Sequence, residues 1–316
     1  MIYLNRAEEF GFAAFGIAPA IDEVRAVFDW AESVVVGAVS YLPPEPNPID
    51  NQPRGLIARV ARSSDYHIVL REKLSRFASA LLLEYPGARL EICVDTNPLP
   101  ERKLAMLAGV AWRGRNGNVF TDGCGSYISI GEIVTDIKLP ASEPMLDNRC
   151  EKCDKCVRAC PAQAITGFGV IDTARCVSGL TQSSGIIPRD LTSSMGNHIY
   201  GCDICQEVCP QNANIKSVSP DFAHEAYPGA HSEIVPLIRL SAEEFKNTLK
   251  NSSIGWIRRT RIRRNAAIVA GNLKSEEAIP ALEEMLCDDN SVLRTHAAWA
   301  LDDIKLNKHN NNGGLI

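Results

Sequence analysis

The sequence predicts a mixed fold of the α+β or α/β class, with an N-terminal α/β domain, a cysteine-rich metal-binding module and a C-terminal helical repeat. Three observations predict it. β-branched runs alternate with amphipathic helical runs before residue 140, eight cysteines stand at metal-ligand spacings between Cys150 and Cys209, and two matching apolar helical runs open at Arg263 and Arg294. At 316 residues the chain is long enough for one substantial domain and one or two smaller modules. An apolar fraction of 45% and a charged fraction of 22% exclude disorder or a fibrous repeat for most of its length.

Ser33 to Leu42 is β-branched and stops at Pro43-Pro44, as a buried strand does. From Asp65 to Glu84, Ile68, Leu74, Phe77, Ala78, Leu81 and Leu82 recur at helical spacing, with Asp65 as N-cap and Pro86-Gly87 as the stop. A second strand, Leu90 to Val94, runs into Asp95-Thr96-Asn97-Pro98, and a helix follows from Pro100-Glu101 to about Gly109. Strand, turn, helix is the arrangement in which ligands collect at the strand's C-terminal end. Trp112 to Ile137 reads as loops and short strands. Residues 211–240, with Pro220, Pro228 and Pro236, read as a linker or irregular wrap. The matched runs Arg263–Ile268 and Arg294–Trp299, with Ile279–Leu286 between them, read as a short HEAT-type repeat, too few units to stand alone.

Eleven cysteines in a long chain with no secretory pattern point to metal rather than disulfides. Cys150-x2-Cys153-x2-Cys156-x3-Cys160-Pro161 is the bacterial ferredoxin run, in which three thiolates fold round one cubane and the fourth reaches the other. Cys202-x2-Cys205-x3-Cys209-Pro210 repeats its end, and Cys176 lies between. Crossed ligation assigns Cys150, Cys153, Cys156 and Cys209 to one [4Fe–4S] cluster and Cys160, Cys176, Cys202 and Cys205 to a second. Paired structural zinc is the alternative, against which the Cys-Pro endings and x3 spacings weigh. Cys93, Cys124 and Cys287 fall outside the pattern and read as small buried hydrophobes.

Two clusters need an acceptor. There is no G-x-G-x-x-G after a strand and no Walker loop, so a dinucleotide in a Rossmann crevice is disfavoured. Nor is there an Asp-x-His-x-x-Gly stretch to place histidine on cobalt. Four stretches together carry a resemblance: Ala58-Arg59-Val60-Ala61-Arg62-Ser63-Ser64-Asp65-Tyr66-His67, Val94-Asp95-Thr96-Asn97-Pro98-Leu99-Pro100-Glu101-Arg102, Gly131-Glu132-Ile133, and the cysteine block with Gly196-Asn197-His198-Ile199-Tyr200-Gly201-Cys202. The chain resembles the epoxyqueuosine reductases over nearly its whole length.

That resemblance implies a cobalamin-dependent reductase, with a core shared with reductive dehalogenases, that converts epoxyqueuosine to queuosine at the wobble position of transfer RNA. It implies cobalamin without a protein histidine on cobalt, and Asp95 as the catalytic acid, its carboxyl raised by an apolar pocket so that it stays protonated. The bland reading of Asp95 is a turn residue or helix cap. By the same resemblance Arg59, Asp65, Tyr66, His67, Arg115, Asn116 and Tyr127 would contact cobalamin. The stretch Trp112-Arg113-Gly114-Arg115-Asn116-Gly117 departs from the family's Trp-Ile-Gly-Lys-Asn-Thr, and Tyr127 stands where tryptophan is common. Arg258, Arg259, Arg261, Arg263 and Arg264 form a basic cluster on a chain of net charge −5 and would contact tRNA phosphates.

The expected domains are 1–140 (α/β, cobalamin-binding), 141–215 (ferredoxin-like, two clusters), 216–256 (linker or wrap), 257–306 (HEAT-like) and 307–316 (disordered tail). An external low-potential donor would supply electrons to a monomer. The longest apolar runs, such as Val34–Val39, fall far below the roughly 20 residues of a membrane helix, and the start Met1–Glu9 shows no leader pattern, so the expected compartment is the cytoplasm. The competing readings are a small-molecule cobalamin reductase of the dehalogenase type and a non-catalytic electron-transfer protein.

Overall fold

A computed structural model describes residues 9–43, 53–95, 97–216, 219–224 and 226–312. The reading of the first eight residues, Pro44, Thr96 and the last four residues of the tail therefore lie outside the described residues.

The N-terminal region contains β1 (Ala14–Pro19), α1 (Asp22–Arg25), β2 (Ser33–Ser40), β3 (Arg54–Ile57), α2 (Tyr66–Glu84), β4 (Leu90–Cys93), α3 (Glu101–Leu107), the short pair β5 (Trp112–Arg113) and β6 (Val119–Phe120), and β7 (Ile128–Thr135). Its sheet runs β1-β2-β7-β4 with every pairing antiparallel. β2 and β7 match along their whole length, Ser33 opposite Thr135 to Ser40 opposite Ile128, and every residue of both is buried. Both faces are covered, which is why β2 reads as an unbroken apolar run. Val35, Val39 and Ile133 pack with Leu70, Leu74 and Phe77 of α2, while Val34, Val36, Ile130 and Val134 pack with Leu104 and Ala105 of α3. Gly37 and Gly131 lie opposite each other. A Cβ at Gly37 would stand 2.6 Å from the Phe12 ring and one at Gly131 2.8 Å from Leu74, so both positions admit the covering side chains only as glycine.

Two expectations change here. The all-antiparallel sheet makes this region α+β rather than a parallel α/β unit, and the stretch read as loops and short strands contains β7, a central strand whose apolar pattern Gly131 and Glu132 interrupt. α2 starts where expected, with the Asp65 carboxylate accepting from the His67 N–H at 2.9 Å. Its buried face is Val69, Leu70, Leu74, Phe77, Ala78 and Leu81, leaving Ile68 and Leu82 exposed.

The cysteine-rich part carries α4 (Lys155–Ala159), β8 (Ile165–Gly167), β9 (Val170–Ile171), α5 (Val177–Gln182), α6 (Arg189–Thr192), β10 (His198–Tyr200) and α7 (Ile204–Glu207). After it come β11 (His231–Glu233), α8 (Ile234–Arg239), α9 (Ala242–Glu244), α10 (Arg258–Asn272), α11 (Ile279–Met285) and α12 (Ser291–Asn312). β3 forms a second sheet, parallel to β10 and antiparallel to β11, which laces three distant stretches together. The segment read as a linker is thus built in. Ile234, Leu237, Ile238, Leu240, Leu249 and Ile254 share one core with Ile262, Ala266, Leu282, Leu293 and Ala297 of the repeat helices, and Pro236 is tolerated in the first turn of α8. Asn307–Asn312, read as a disordered tail, continues α12; extending a nucleated helix costs little per residue. Cys93 and Cys124 are buried, but Cys287 is exposed at the end of α11, against expectation. Among the described residues no helix is long and apolar enough to cross a membrane.

The arginine cluster divides. Arg264 is fully buried and donates to the carbonyls of Leu180 (3.0 Å), Ser183 and Gly185 (2.8 Å each) and to Asn265 Oδ1, while Asn265 Nδ2 donates to the carbonyls of Thr181 and Ile199 at 2.8 Å. Arg263, also buried, donates to Ile238 O at 2.8 Å and pairs with Asp288 at 2.6 Å. These two cannot meet phosphate, which corrects their assignment to RNA: carbonyls brought in from other segments consume their donors. Arg259 donates to Leu240 O at 3.0 Å from a half-buried position, Arg261 is also half-buried, and Arg258 is exposed.

Arg264→Ala should lower stability by at least about 2–3 kcal/mol, since several buried carbonyls lose their donor. Arg258→Ala should stay within about 0.5 kcal/mol. Chemical denaturation of both variants measures this, and equal midpoints would show that the buried guanidinium does not hold the repeat in place.

Candidate redox and acid site

The cysteines come from short elements that the ferredoxin spacing dictates. Cys150 and Cys153 sit in a tight turn closed by Cys153 N–H on Cys150 O at 2.8 Å, Cys156 lies in α4, and Cys160 ends that helix. Cys176 precedes α5, Cys205 lies in α7, and Cys209 precedes the one-turn helix Pro210–Asn212. Burial pushes up the thiols of Cys156 and Cys209, and nearby thiolate charge adds to it: Cys156 faces Cys150 and Cys209, and Cys209 faces Cys150 and Cys153. Burial likewise pushes Cys202 up to about 12, with Cys176 and Cys160 close by, and raises Cys205, which faces Cys202 and Cys176 first and then Cys156. The chain thus brings together two groups of thiols, adjoining through Cys205 and Cys156. Backbone N–H groups point at two of the sulfurs, Arg115 N to Cys150 Sγ at 3.3 Å and Ala164 N to Cys160 Sγ at 3.2 Å.

Four of the residues expected around cobalamin brace this module. Arg59 pairs with Glu207 and Asp203 of the α7 segment and lies 5.5 Å over the Tyr127 ring. Asn116 is buried, donating to Cys205 O at 3.3 Å and accepting from Asn118 N–H at 3.2 Å. Arg115 reaches Glu151 O at 3.2 Å, and Tyr127 is buried edge-on to Tyr41. Asn116 and Tyr127, expected to contact cobalamin, are buried in these contacts. The departure at Trp112–Gly117 consequently bears on how the cysteine module is held.

The other three gather round Asp95. Tyr66 Oη donates to Asp95 Oδ2 at 2.7 Å, and the Tyr66 ring stacks on His67 with centroids 4.1 Å apart. His67 Nδ1 meets Asp65 Oδ1 at 2.7 Å, while Nε2 stands 3.7 Å from Asp95 Oδ2, a charge contact longer than a hydrogen bond. Asp95 is exposed and sits at φ 51°, on the left-handed side of the backbone map, which glycine, asparagine and aspartate enter more readily than other residues. Its N–H donates to Glu101 Oε1 at 2.8 Å. It is not a helix cap: α3 begins after Pro100 with no side-chain cap bond.

The electrostatics reverse one expectation. His67, and then the Tyr66 hydroxyl, hold the Asp95 carboxyl below its ordinary range, with burial opposing, rather than an apolar pocket raising it. The carboxylates of Asp65 and Asp95 raise the His67 imidazole to about 9. At neutral pH the proton of this pair therefore sits on His67.

Three further groups stand close by, and the sequence shows them only as letters within motifs. Glu132, in the centre of β7, is fully buried, and neither carboxylate oxygen has a hydrogen-bond partner. Burial, then the charges of Glu101 and Asp95, raise it well above the usual carboxylate range, so it is a neutral acid. Burial, then the Asp95 charge, raises Glu101 against the pull of its bond to the Asp95 N–H. Tyr200 is buried, faces Asp65 and Asp95, and accepts from Trp256 Nε1 at 2.9 Å. A carboxylate inside the apolar run Ser-Ile-Gly-Glu-Ile-Val was the one available signal for Glu132.

Comparisons with known proteins agree with this arrangement. Residues 22–96 match the family Epoxyqueuosine reductase QueG, DUF1730, residues 149–212 match a 4Fe-4S double cluster binding domain, and residues 258–309 match HEAT repeats. An epoxyqueuosine reductase of Bacillus anthracis is 33% identical over 287 residues, covering 87% of this chain and 73% of its own. A crystal structure of an epoxyqueuosine reductase with a tRNA-Tyr epoxyqueuosine-modified tRNA stem loop superposes with a TM-score of 0.89 at 29% identity, covering 96% of this chain and 89% of that one. The Bacillus subtilis enzyme, in a state whose aspartate-bearing catalytic loop is swung out of the active site, gives a TM-score of 0.89 at 28% identity over the same shares. With a paired-cysteine module, an exposed acid beside it and relatives alike along nearly the whole length, the chain belongs to the epoxyqueuosine reductase family.

Proposed function

We propose that this chain reduces the epoxide of epoxyqueuosine in transfer RNA to give queuosine, drawing electrons from an external low-potential donor through two [4Fe–4S] clusters to cobalamin, with Asp95 as proton donor. The observation that carries the reading is the Tyr66–Asp95–His67 cluster: an exposed carboxylate on strained backbone, bonded to a phenol and facing an imidazolium. It lies beside Tyr200, and Cys202 follows Tyr200 by two residues, no more than about 7 Å of extended chain. The relative solved with the modified stem loop and the one whose aspartate-bearing catalytic loop is swung out of the active site support the substrate and the role of Asp95.

Cys150, Cys153, Cys156 and Cys209 would hold one cluster and Cys160, Cys176, Cys202 and Cys205 the other. The two thiol groups and the N–H contacts on Cys150 and Cys160 fit thiolate ligands. The residues near Asp95 also fit cobalamin. The half-buried side chains of Asp65, Tyr66 and His67 would hold cobalamin beside Asp95, His67 with both ring nitrogens already facing carboxylates. Asp65, Tyr66 and His67 would form one wall. The buried Ser63 hydroxyl, without a partner, belongs to the same stretch.

When bound, cobalamin supplies a reduced metal centre able to deliver electrons to a strained carbon–oxygen bond. Reducing the epoxide breaks both carbon–oxygen bonds, forms a carbon–carbon double bond and releases the oxygen as water; it consumes two electrons and two protons, the first proton from the His67–Asp95 pair and the second from solvent. As negative charge grows on the oxygen, the Asp95 carboxylate takes up the proton held on His67 and passes it on; Tyr66 keeps the carboxylate oriented throughout. The His67–Asp95 pair stabilises the fold fully between the ordinary carboxylate value of 3.8 and the ordinary imidazole value of 6.5. That contribution is lost as pH rises from 6.5 through about 9, and again as Asp95 protonates in acid.

Asp95→Asn should retain cofactor and tRNA while single-turnover reduction falls by on the order of 10²–10⁴; wild-type rates at full cofactor loading would end the assignment. The His67 imidazole, followed by NMR, should titrate near 9 and move toward 6.5 in Asp95→Asn. A titration already at 6.5 in the wild type would remove it as the proton store. Anaerobic reconstitution should give about eight iron atoms per chain. Cys209→Ser should remove the cluster that includes Cys150, and Cys287→Ser should remove none; stoichiometric zinc without sulfide would refute the cluster reading.

A further inference from the structure

Among the described residues, Trp256 is a large aromatic left 56% exposed, yet it is not loose. Its indole N–H is fixed on the Tyr200 hydroxyl at 2.9 Å, and Tyr200 is buried against the acid cluster: it faces Asp65 and Asp95, and Tyr66, bonded to Asp95, faces Tyr200 in turn. A line of aromatic side chains thus runs from the proton donor to an open indole face. Two residues on, Arg258 begins α10 at φ 65° and ψ 160°, a conformation almost confined to glycine. Its neighbours Arg259, Arg263 and Arg264 spend donors on carbonyls inside the protein, whereas Arg258 is exposed.

We propose that Trp256 is the stacking platform for an unpaired base of the anticodon loop adjoining the modified nucleotide, with Arg258 as the phosphate contact beside it. The inference rests on the tRNA reading above. For the epoxide to reach Asp95, its nucleotide must leave the loop's stack, which uncovers the π-face of a neighbouring base. An indole held in one orientation covers that face at little entropic cost, and every base can use it. Single-stranded loops are the part of RNA that proteins read by such stacking. Arg258, exposed and two residues along the chain from the indole, would supply the cation for the phosphate that follows a stacked base.

The test measures binding of a labelled, unmodified anticodon stem loop to the reconstituted full chain, against the same RNA with an abasic site next to the wobble position. Trp256→Ala should weaken the intact loop on the order of tenfold or more, abolish the preference for intact over abasic RNA, and leave the salt slope unchanged. Trp256→Phe, which also loses the bond to Tyr200 but keeps a ring, should retain most of the preference. Arg258→Gly should lower the salt slope by about one phosphate contact without lowering thermal stability, because glycine suits that backbone. Wild-type affinity in Trp256→Ala, or equal weakening of intact and abasic loops, overturns the platform and leaves the enzymatic reading standing. A wild-type chain that binds no stem loop at all overturns both.

Discussion

The buried contact between Arg264, Asn265 and the carbonyls of residues 180–185 and Ile199 is the constraint on which the remaining arrangement depends. Those carbonyls belong to the end of α5, which opens at Cys176, and to β10, which leads into Cys202. The first turns of a repeat helix therefore set the positions of two thiols from the same group. A guanidinium buried among carbonyls is costly unless each donor is met, and here the carbonyls of a chain reversal meet them. His296 adds a second tie from α12, its Nε2 accepting from Ile187 N–H at 3.2 Å. The repeat is in this sense a clamp on the cysteine module, and only the edge of its basic cluster, at Arg258, is exposed.

A second constraint is electrostatic. β7 carries a carboxyl with no hydrogen bond in the middle of a sheet covered on both faces, which no stability argument favours. Glu132 stays neutral, and its neighbours show what that achieves. Glu101 is raised as well, so ionisation falls on the two carboxylates that flank His67, Asp65 and the outermost one, Asp95. Four carboxyls and one imidazole thus share charge so that the exposed member, Asp95, is ionised and the adjacent histidine holds a proton.

How much of this was legible in the sequence depended on how local the cause was. Cysteine spacing is set by short turns, so the thiol groups could be grouped from it, and β2 reads as a strand because both its faces are buried. Asp65 was recognisable as a cap because its partner is two residues away. β7 was not legible, since the glycine that admits Leu74 and the buried acid beside it break the pattern. Nor was the burial of Arg263 and Arg264: in sequence they are indistinguishable from Arg258, and what separates them is carbonyls arriving from residues 180–185 and from Ile238. Arg59, Asn116 and Tyr127 were placed by motif alone, and a motif does not say which face of a loop meets the cysteine module.

The non-glycine residues at positive φ include Asp95, at the centre of the acid site, and Arg258, two residues beyond the Trp256 that bonds Tyr200. Such conformations cost on the order of 1–3 kcal/mol each and persist only where surrounding contacts over-determine them. The contacts are present in both cases. The Asp95 backbone is tied by its N–H to Glu101 and its carboxyl by Tyr66, while Arg258 is caught between the buried Ile257 and a helix anchored six residues later by Arg264. Asp95 is thereby turned out of the sheet edge instead of continuing β4, and Arg258 is turned out of the helix it begins. Two different sets of contacts therefore hold these backbones, the Glu101 and Tyr66 bonds at Asp95 and the packing that fixes the cysteine module at Arg258, so weakening the Arg264 anchor would release the second and leave the first in place.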